Sequence, residues 1–168
     1  TNTMTVHGGR ALHGARHRVG PDHIEVGSLI GLAAVTKSKL TIKGAGVEHL
    51  RSTLMNFERL GIVAHAIGDD LIVPAEQSRR IKEDLGGHIP KIEDQPWPAF
   101  PADLMSIAIV TATQCDGVIL MFEKMFESRM FFVDKLIAMG ARIVLCDPHR
   151  AIIAGPSRMR AARVESPD

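Results

Sequence analysis

Tyrosine is absent, tryptophan occurs once, and aromatic residues make up only 4% of the 168 residues. So few flat rings exclude a platform on which nucleic-acid bases would stack. Cysteine is equally scarce. Cys115 and Cys146 are the only two, and they fit neither a disulfide scaffold nor a CxxC zinc site. The histidines show no metal-ligand spacing on one helix face, so no metal is expected, and nothing calls for a cofactor. An excess of either charge is also missing: Lys+Arg 20 against Asp+Glu 19 leaves +1. That balance argues against a broad basic surface for nucleic acid, though not against a local anion site. No apolar run reaches the roughly 18 residues that would span a bilayer, and the N-terminus lacks a signal-peptide pattern. A cytoplasmic protein without membrane contact is the resulting expectation. Because the chain opens at Thr1 rather than Met and stops at "ESPD", it is expected to be part of something longer.

What is present is ordinary for a folded domain: 45% hydrophobic and 23% charged residues. The length suits one compact domain or two small units sharing a core. A repeat points to the second arrangement. "PDHIEVGSLIGLAAVTKSKLTIKGA" aligns with "PADLMSIAIVTATQCDGVILMFEK", setting Pro21 on Pro101, Leu29 on Ile109 and Thr41-Ile42 on Met121-Phe122. Further on, Gly61 falls on Gly140, and Leu71-Ile72-Val73 fall on Ala151-Ile152-Ile153 after one extra residue. Residues 1–86 and 87–168 are therefore read as two units.

Each unit carries the same series of elements. A first helix, about Ile24 to Val35 or Leu104 to Thr113, is almost wholly apolar or small, a pattern expected of helices buried on every side. A strand follows, "KLTIKG" or "GVILMF". An amphipathic helix comes next, with Val47, Leu50, Leu54, Phe57 and Leu60 at helical spacing before Gly61, and Phe132, Leu136 and Met139 before Gly140. A hairpin closes each unit, turning at Gly68-Asp69-Asp70 or at Asp147-Pro148-His149. "HRVG" and "KIEDQPWPAF" are read as opening strands, giving β-α-β-α-β-β used twice, a mixed α+β fold. No GxGxxG turn follows a strand, which excludes a Rossmann reading. "HGGRALHGAR" precedes a strand rather than a helix, so it reads as a hairpin or loop with turn glycines rather than a phosphate cradle.

Two such units, with "HRVGPDHIEVGSLIGLAA", "AFPADLMSIAI", "FEKMFESRMFFVDKLIAMGA" and "AIIAGPSRM" in order, resemble the enolpyruvyl transferases. The likeness runs nearly end to end and is greatest to the branch acting on UDP-N-acetylglucosamine in peptidoglycan synthesis. It implies an inside-out α/β barrel in which buried helices are surrounded by sheets. Two of three units of one domain would be present. The substrates implied are UDP-N-acetylglucosamine and phosphoenolpyruvate, and the partner implied is the other domain of the same chain. The family's reactive cysteine and the basic residues that grip phosphoenolpyruvate fall in segments outside this chain. The fragment alone is expected to be inactive, and Cys115 to be a buried structural thiol.

Local sequence reads Asp103 as the N-cap of the helix that follows it. The resemblance adds a catalytic role, with the Asp103 carboxylate binding the sugar hydroxyl and taking its proton. It also implies that the Met125 backbone contacts the nucleotide, although plain packing of Met125 is an alternative. Phe126, Glu127 and Arg129 would shape the loop under the substrate, although Glu127 and Arg129 also read as an ordinary surface pair. Asp22 would face the cleft. His23 stands where the family has Arg, Ala102 where it has Thr, and Ser128 where it has Asn; Leu104-Met105-Ser106 also departs from the pattern. An Arg is permanently charged and a His is not, so these departures mark a divergent member. The charges of "QSRRIKED" and "SRMRAAR" read as solvated surface or, in the second case, as a segment exposed by truncation. Two other readings compete: a sister transferase using shikimate 3-phosphate, and a non-catalytic binding module that reuses the repeat.

Overall fold

The computed structural model describes residues 3–9 and 11–165. In chain order it contains α1 (His23–Thr36), β1 (Leu40–Ile42), α2 (Arg51–Arg59), β2 (His65–Ile67), β3 (Asp70–Val73) and β4 (Lys91–Glu93). Then come α3 (Met105–Ala112), β5 (Gly117–Phe122), α4 (Val133–Ala138), β6 (Ile143–Asp147) and β7 (Arg150–Gly155). Short 3-10 turns at Val47–His49 and Ala102–Leu104 lead into α2 and α3. The result is the mixed α+β arrangement expected from the sequence.

The two small-residue helices, α1 and α3, lie against each other between the sheets. Gly27 and Gly31 form the contact face of α1. A Cβ on Gly27 would stand 2.5 Å from Leu104, and one on Gly31 would stand 2.8 Å from Ile107. Glycine at these two positions is what lets the helices approach. Ile30, Leu104 and Ile109 are fully buried around the seam, each worth about 1.5–3 kcal/mol of transfer free energy.

One sheet has strand order β1-β3-β2, the other β4-β5-β7-β6. Three strands of each run antiparallel in the same order, and β4 adds a parallel edge to the second. The pairing corrects the expected alignment by one residue. Ile42 pairs with Leu71, and Met121 pairs with Ala151, so Ile42 corresponds to Met121 rather than to Phe122. A slip of one residue would turn Ile42 away from the core, because strand side chains alternate. The extra residue in the second hairpin is Cys146, at a register shift between Leu145 and Asp147.

A buried side chain straps each hairpin at the same place. Gln77 accepts from the Val63 N–H at 2.8 Å and donates to the Val63 carbonyl. Ser157 Oγ accepts from the Arg142 N–H at 3.0 Å.

Other expectations are corrected. "HRVG" forms no strand: residues 17–20 have no ladder partner and are exposed, whereas Ile92 anchors β4 in the core. The helices α1 and α3 are not buried on every side. Leu32 and Val110 are exposed at the edge of a shallow apolar groove shared by the two helices, because two helices cover only one face of each other. The charges of "QSRRIKED" are largely solvated as expected, with Arg80 and Lys82 exposed, but the rest of the stretch is not. Gln77 and Ile81 are buried, and the backbone of Arg79 and Ile81 bonds Asp116 at 2.6 and 2.8 Å, joining the two halves. The glycine-rich segment forms neither helix nor strand, with Arg10 outside the described residues, as is "SPD" at the end.

Candidate active site

The heads of α1 and α3 follow matching prolines but are built differently. Asp22 sits directly after Pro21 with extended backbone (φ −81°, ψ 112°), and its carboxylate accepts the Ile24 N–H at 2.8 Å. It is an N-cap, satisfying one of the donors a helix start leaves orphaned. Asp103 sits two residues after Pro101, inside the 3-10 turn, and Pro101 takes the cap position. Asp103 therefore caps nothing. Its side chain is 60% exposed, and Oδ1 accepts from Arg129 Nη1 at 2.7 Å. Among the described residues Oδ2 has no partner.

Arg129 arrives on the loop that follows β5. Its guanidinium lies 4.6 Å from the centre of the Phe126 ring, a cation–π contact. Both partners are partly exposed, so the Asp103–Arg129 pair adds under about 1 kcal/mol to stability. Its importance is geometric. Glu127 makes no ion pair among the described residues, so Arg129 serves Asp103 and not its loop neighbour. Ser128 is held at φ +68°, in the left-handed region, where the loop reverses.

Beneath this loop lie two carboxyl groups that sequence reasoning missed. Asp94 and Glu123 are both fully buried. Asp94 accepts from the N–H groups of Lys124 and Met125, the latter at 3.1 Å. Glu123 Oε1 accepts from the Phe126 N–H at 3.3 Å, while Oε2 lacks a donor. Burial foremost, and then the adjoining Asp94 carboxyl, push the Glu123 pKa up to about 7. A proton on Glu123 lets the two carboxyls bond each other, which two carboxylates cannot do. Strand periodicity carried a signal for both. Ile92 and Asp94 share one face, as do Ile119, Met121 and Glu123, and the apolar members of both sets are core.

Met125 is 42% exposed, so its side chain is not core packing, and its N–H is committed to Asp94. His23 lies edge-on to Trp97 with centroids 6.2 Å apart, an aromatic contact where the resemblance leads one to expect a fixed cation. Cys115 is fully buried with its thiol on the Thr111 carbonyl, and burial pushes its pKa up to about 12. That thiol is inert at neutral pH. The arrangement thus offers one exposed carboxylate oriented by a guanidinium at a helix head, seated on a loop with a buried acidic anchor.

The fold defines a class before any finer assignment. The structure matches the enolpyruvyl transferase NikO from Streptomyces tendae with a TM-score of 0.65 at 19% identity, covering 85% of this chain and 32% of that one. This is the enolpyruvyl transferase fold. The family model of EPSP synthase (3-phosphoshikimate 1-carboxyvinyltransferase) matches residues 1–168, and the chain belongs to that family. Among curated relatives, it is 77% identical over all 168 residues to the UDP-N-acetylglucosamine 1-carboxyvinyltransferase of Bradyrhizobium diazoefficiens, and 54% identical to that of Treponema denticola. It spans 39% of the length of each.

Proposed function

We propose that this chain forms part of a transferase that moves the enolpyruvyl group of phosphoenolpyruvate onto the 3′-hydroxyl of UDP-N-acetylglucosamine. Asp103 is the base of that reaction. The observation that supports this role is its carboxylate: released from capping, exposed, and held through one oxygen by Arg129 with the other oxygen open. A sugar hydroxyl becomes a useful nucleophile when a base within hydrogen-bond reach takes its proton. The oxygen then bonds to C2 of phosphoenolpyruvate while an acid from outside this chain protonates C3. Loss of a C3 proton and of inorganic phosphate restores the double bond and leaves the enolpyruvyl ether.

Arg129 keeps the carboxylate aimed. The Met125–Phe126 segment lines the sugar-nucleotide side, where the Met125 N–H is already taken and its carbonyl is the backbone group left to offer. Asp22 supports the site from the head of α1 by fixing that helix start. The remaining domain of the longer protein completes the cleft, and the apolar groove at Leu32 and Val110 is covered there. With those parts missing, the chain by itself does not turn over. Use of shikimate 3-phosphate is the less favoured reading, since relatives at 77% and 54% identity are named for the UDP-sugar.

The test is phosphate release by the full-length protein with each acceptor in turn. Release with UDP-N-acetylglucosamine that falls at least about 100-fold in Asp103→Asn supports the reading. Turnover of shikimate 3-phosphate instead, or an Asn variant within 3-fold of wild type, ends it.

A further inference from the structure

The two buried carboxyls have no part in the chemistry above, yet every contact they make leads towards it. Asp94 holds the N–H groups of Lys124 and Met125, and Glu123 holds that of Phe126. The Phe126 ring carries the Arg129 guanidinium at 4.6 Å, and Arg129 reaches Asp103 at 2.7 Å. Three consecutive amides of an exposed loop are thus tied to two carboxyls with no exposure at all. An unneeded buried acid would be costly, since an uncompensated carboxylate away from water loses its solvation.

We propose that Asp94 and Glu123 form a clamp that positions Arg129 on Asp103 by fixing the Lys124–Arg129 loop from below. Both are positioning residues. A protonated Glu123 can offer a hydrogen to the adjoining Asp94 carboxyl, while three amide donors tie the two carboxyls to the loop. When the proton leaves, Glu123 carries a charge on a buried carboxyl whose Oε2 has no donor. The loop then loosens, or Arg129, whose charge acts on Glu123, turns towards it and away from Asp103. The groups that face the Glu123 carboxyl are few: Asp94, just after β4, and Arg129 from the loop; the His149 ring, on the β6–β7 turn, meets the Glu123 backbone carbonyl at 2.9 Å. Lys124 points away to Glu93.

This inference deepens the proposed function and rests on it for the catalytic consequence, but its first test needs no substrate. Carboxyl carbons of Asp94 and Glu123 and the Arg129 Nε–H are followed by NMR from pH 4 to 9 in the 168-residue chain. Expected is one Glu123 step near pH 7, matched at the same midpoint by a shift of the Arg129 signal. A flat Arg129 signal across that step, or two carboxyls titrating independently at ordinary values, overturns the clamp. In the full-length protein, Glu123→Ala is expected to lower kcat/KM about 10-fold. Glu123→Gln, whose amide can still donate to Asp94 and accept from Phe126, recovers most of that loss and removes the step near pH 7 from the rate profile. Equal impairment of both variants overturns it. Absence of enolpyruvyl transfer would sink the proposed function and leave the NMR arm to decide the clamp.

Discussion

Asp22 and Asp103 follow matching prolines at the heads of two matching helices, one residue out of phase with each other. The one nearer its proline has extended backbone and bonds Ile24 N–H; the other lies inside a helical turn and reaches across to Arg129. A single residue of phase separates a carboxylate consumed by the backbone from one left available. The surroundings differ to match. The second sheet has an extra parallel strand, β4, that brings Asp94 in beside Glu123, and residues 17–20 supply no equivalent in the first.

The largest effect that should distinguish the two is kinetic. Asp103→Asn is expected to lower kcat by about 10²- to 10⁴-fold in the full-length protein. Asp22→Asn, a cap replaced by another good cap, should stay within a few-fold. Steady-state phosphate release with both variants checks this, and equal losses would erase the contrast.

Next comes backbone crowding at the ends of β3 and β7. Ala75 of the first half carries a Cβ without difficulty, while a Cβ on Gly155 would lie 2.1 Å from the Cys115 carbonyl oxygen and 2.7 Å from that of Ala112. Gly155→Ala should cost at least about 3 kcal/mol, or abolish folding, as read by urea denaturation. A loss below 1 kcal/mol would mean that β7 can move off α3.

The third prediction concerns pH. The folded-state pKa of Glu123 is raised from 4.5 to about 7, so the folded chain holds this proton after the unfolded chain has released it. Stability from this group is therefore greatest below pH 4.5 and declines as pH rises through 7, by about 1–3 kcal/mol. Glu123→Gln should flatten that decline in denaturation midpoints taken from pH 4 to 8. A parallel slope in the variant would move the titration elsewhere.

Smallest is the cap itself. Asp22→Ala should cost about 1 kcal/mol of stability, and Asp103→Ala less than that, reversing their order in the kinetic test. Thermal unfolding of both variants provides the measurement.

Much of this was legible in the chain. Glycine punctuation, hairpin turns and apolar periodicity marked both halves, and the motif around Pro101 and Asp103 pointed at the residue that the geometry leaves free. The strand offset was not legible, because Thr41-Ile42 fits an apolar pattern in either phase and only ladder pairing with Leu71 decides between them. Nor was the direction of Arg129. On the sequence Glu127 is its nearest acid, yet the left-handed turn at Ser128 sends it to Asp103.

By itself, then, the sequence determined most of the segments that become helix, strand and turn, "HRVG" excepted, since those follow from local periodicity and backbone freedom. It also determined the family, since several motifs stand in order along one chain. Which carboxylates are buried together, which one is left open, and where Arg129 rests were decided only in the tertiary structure. Those outcomes depend on groups 26 to 31 residues apart along the chain meeting in space, and for the buried pair desolvation acts on the place a side chain occupies rather than on its neighbours in sequence.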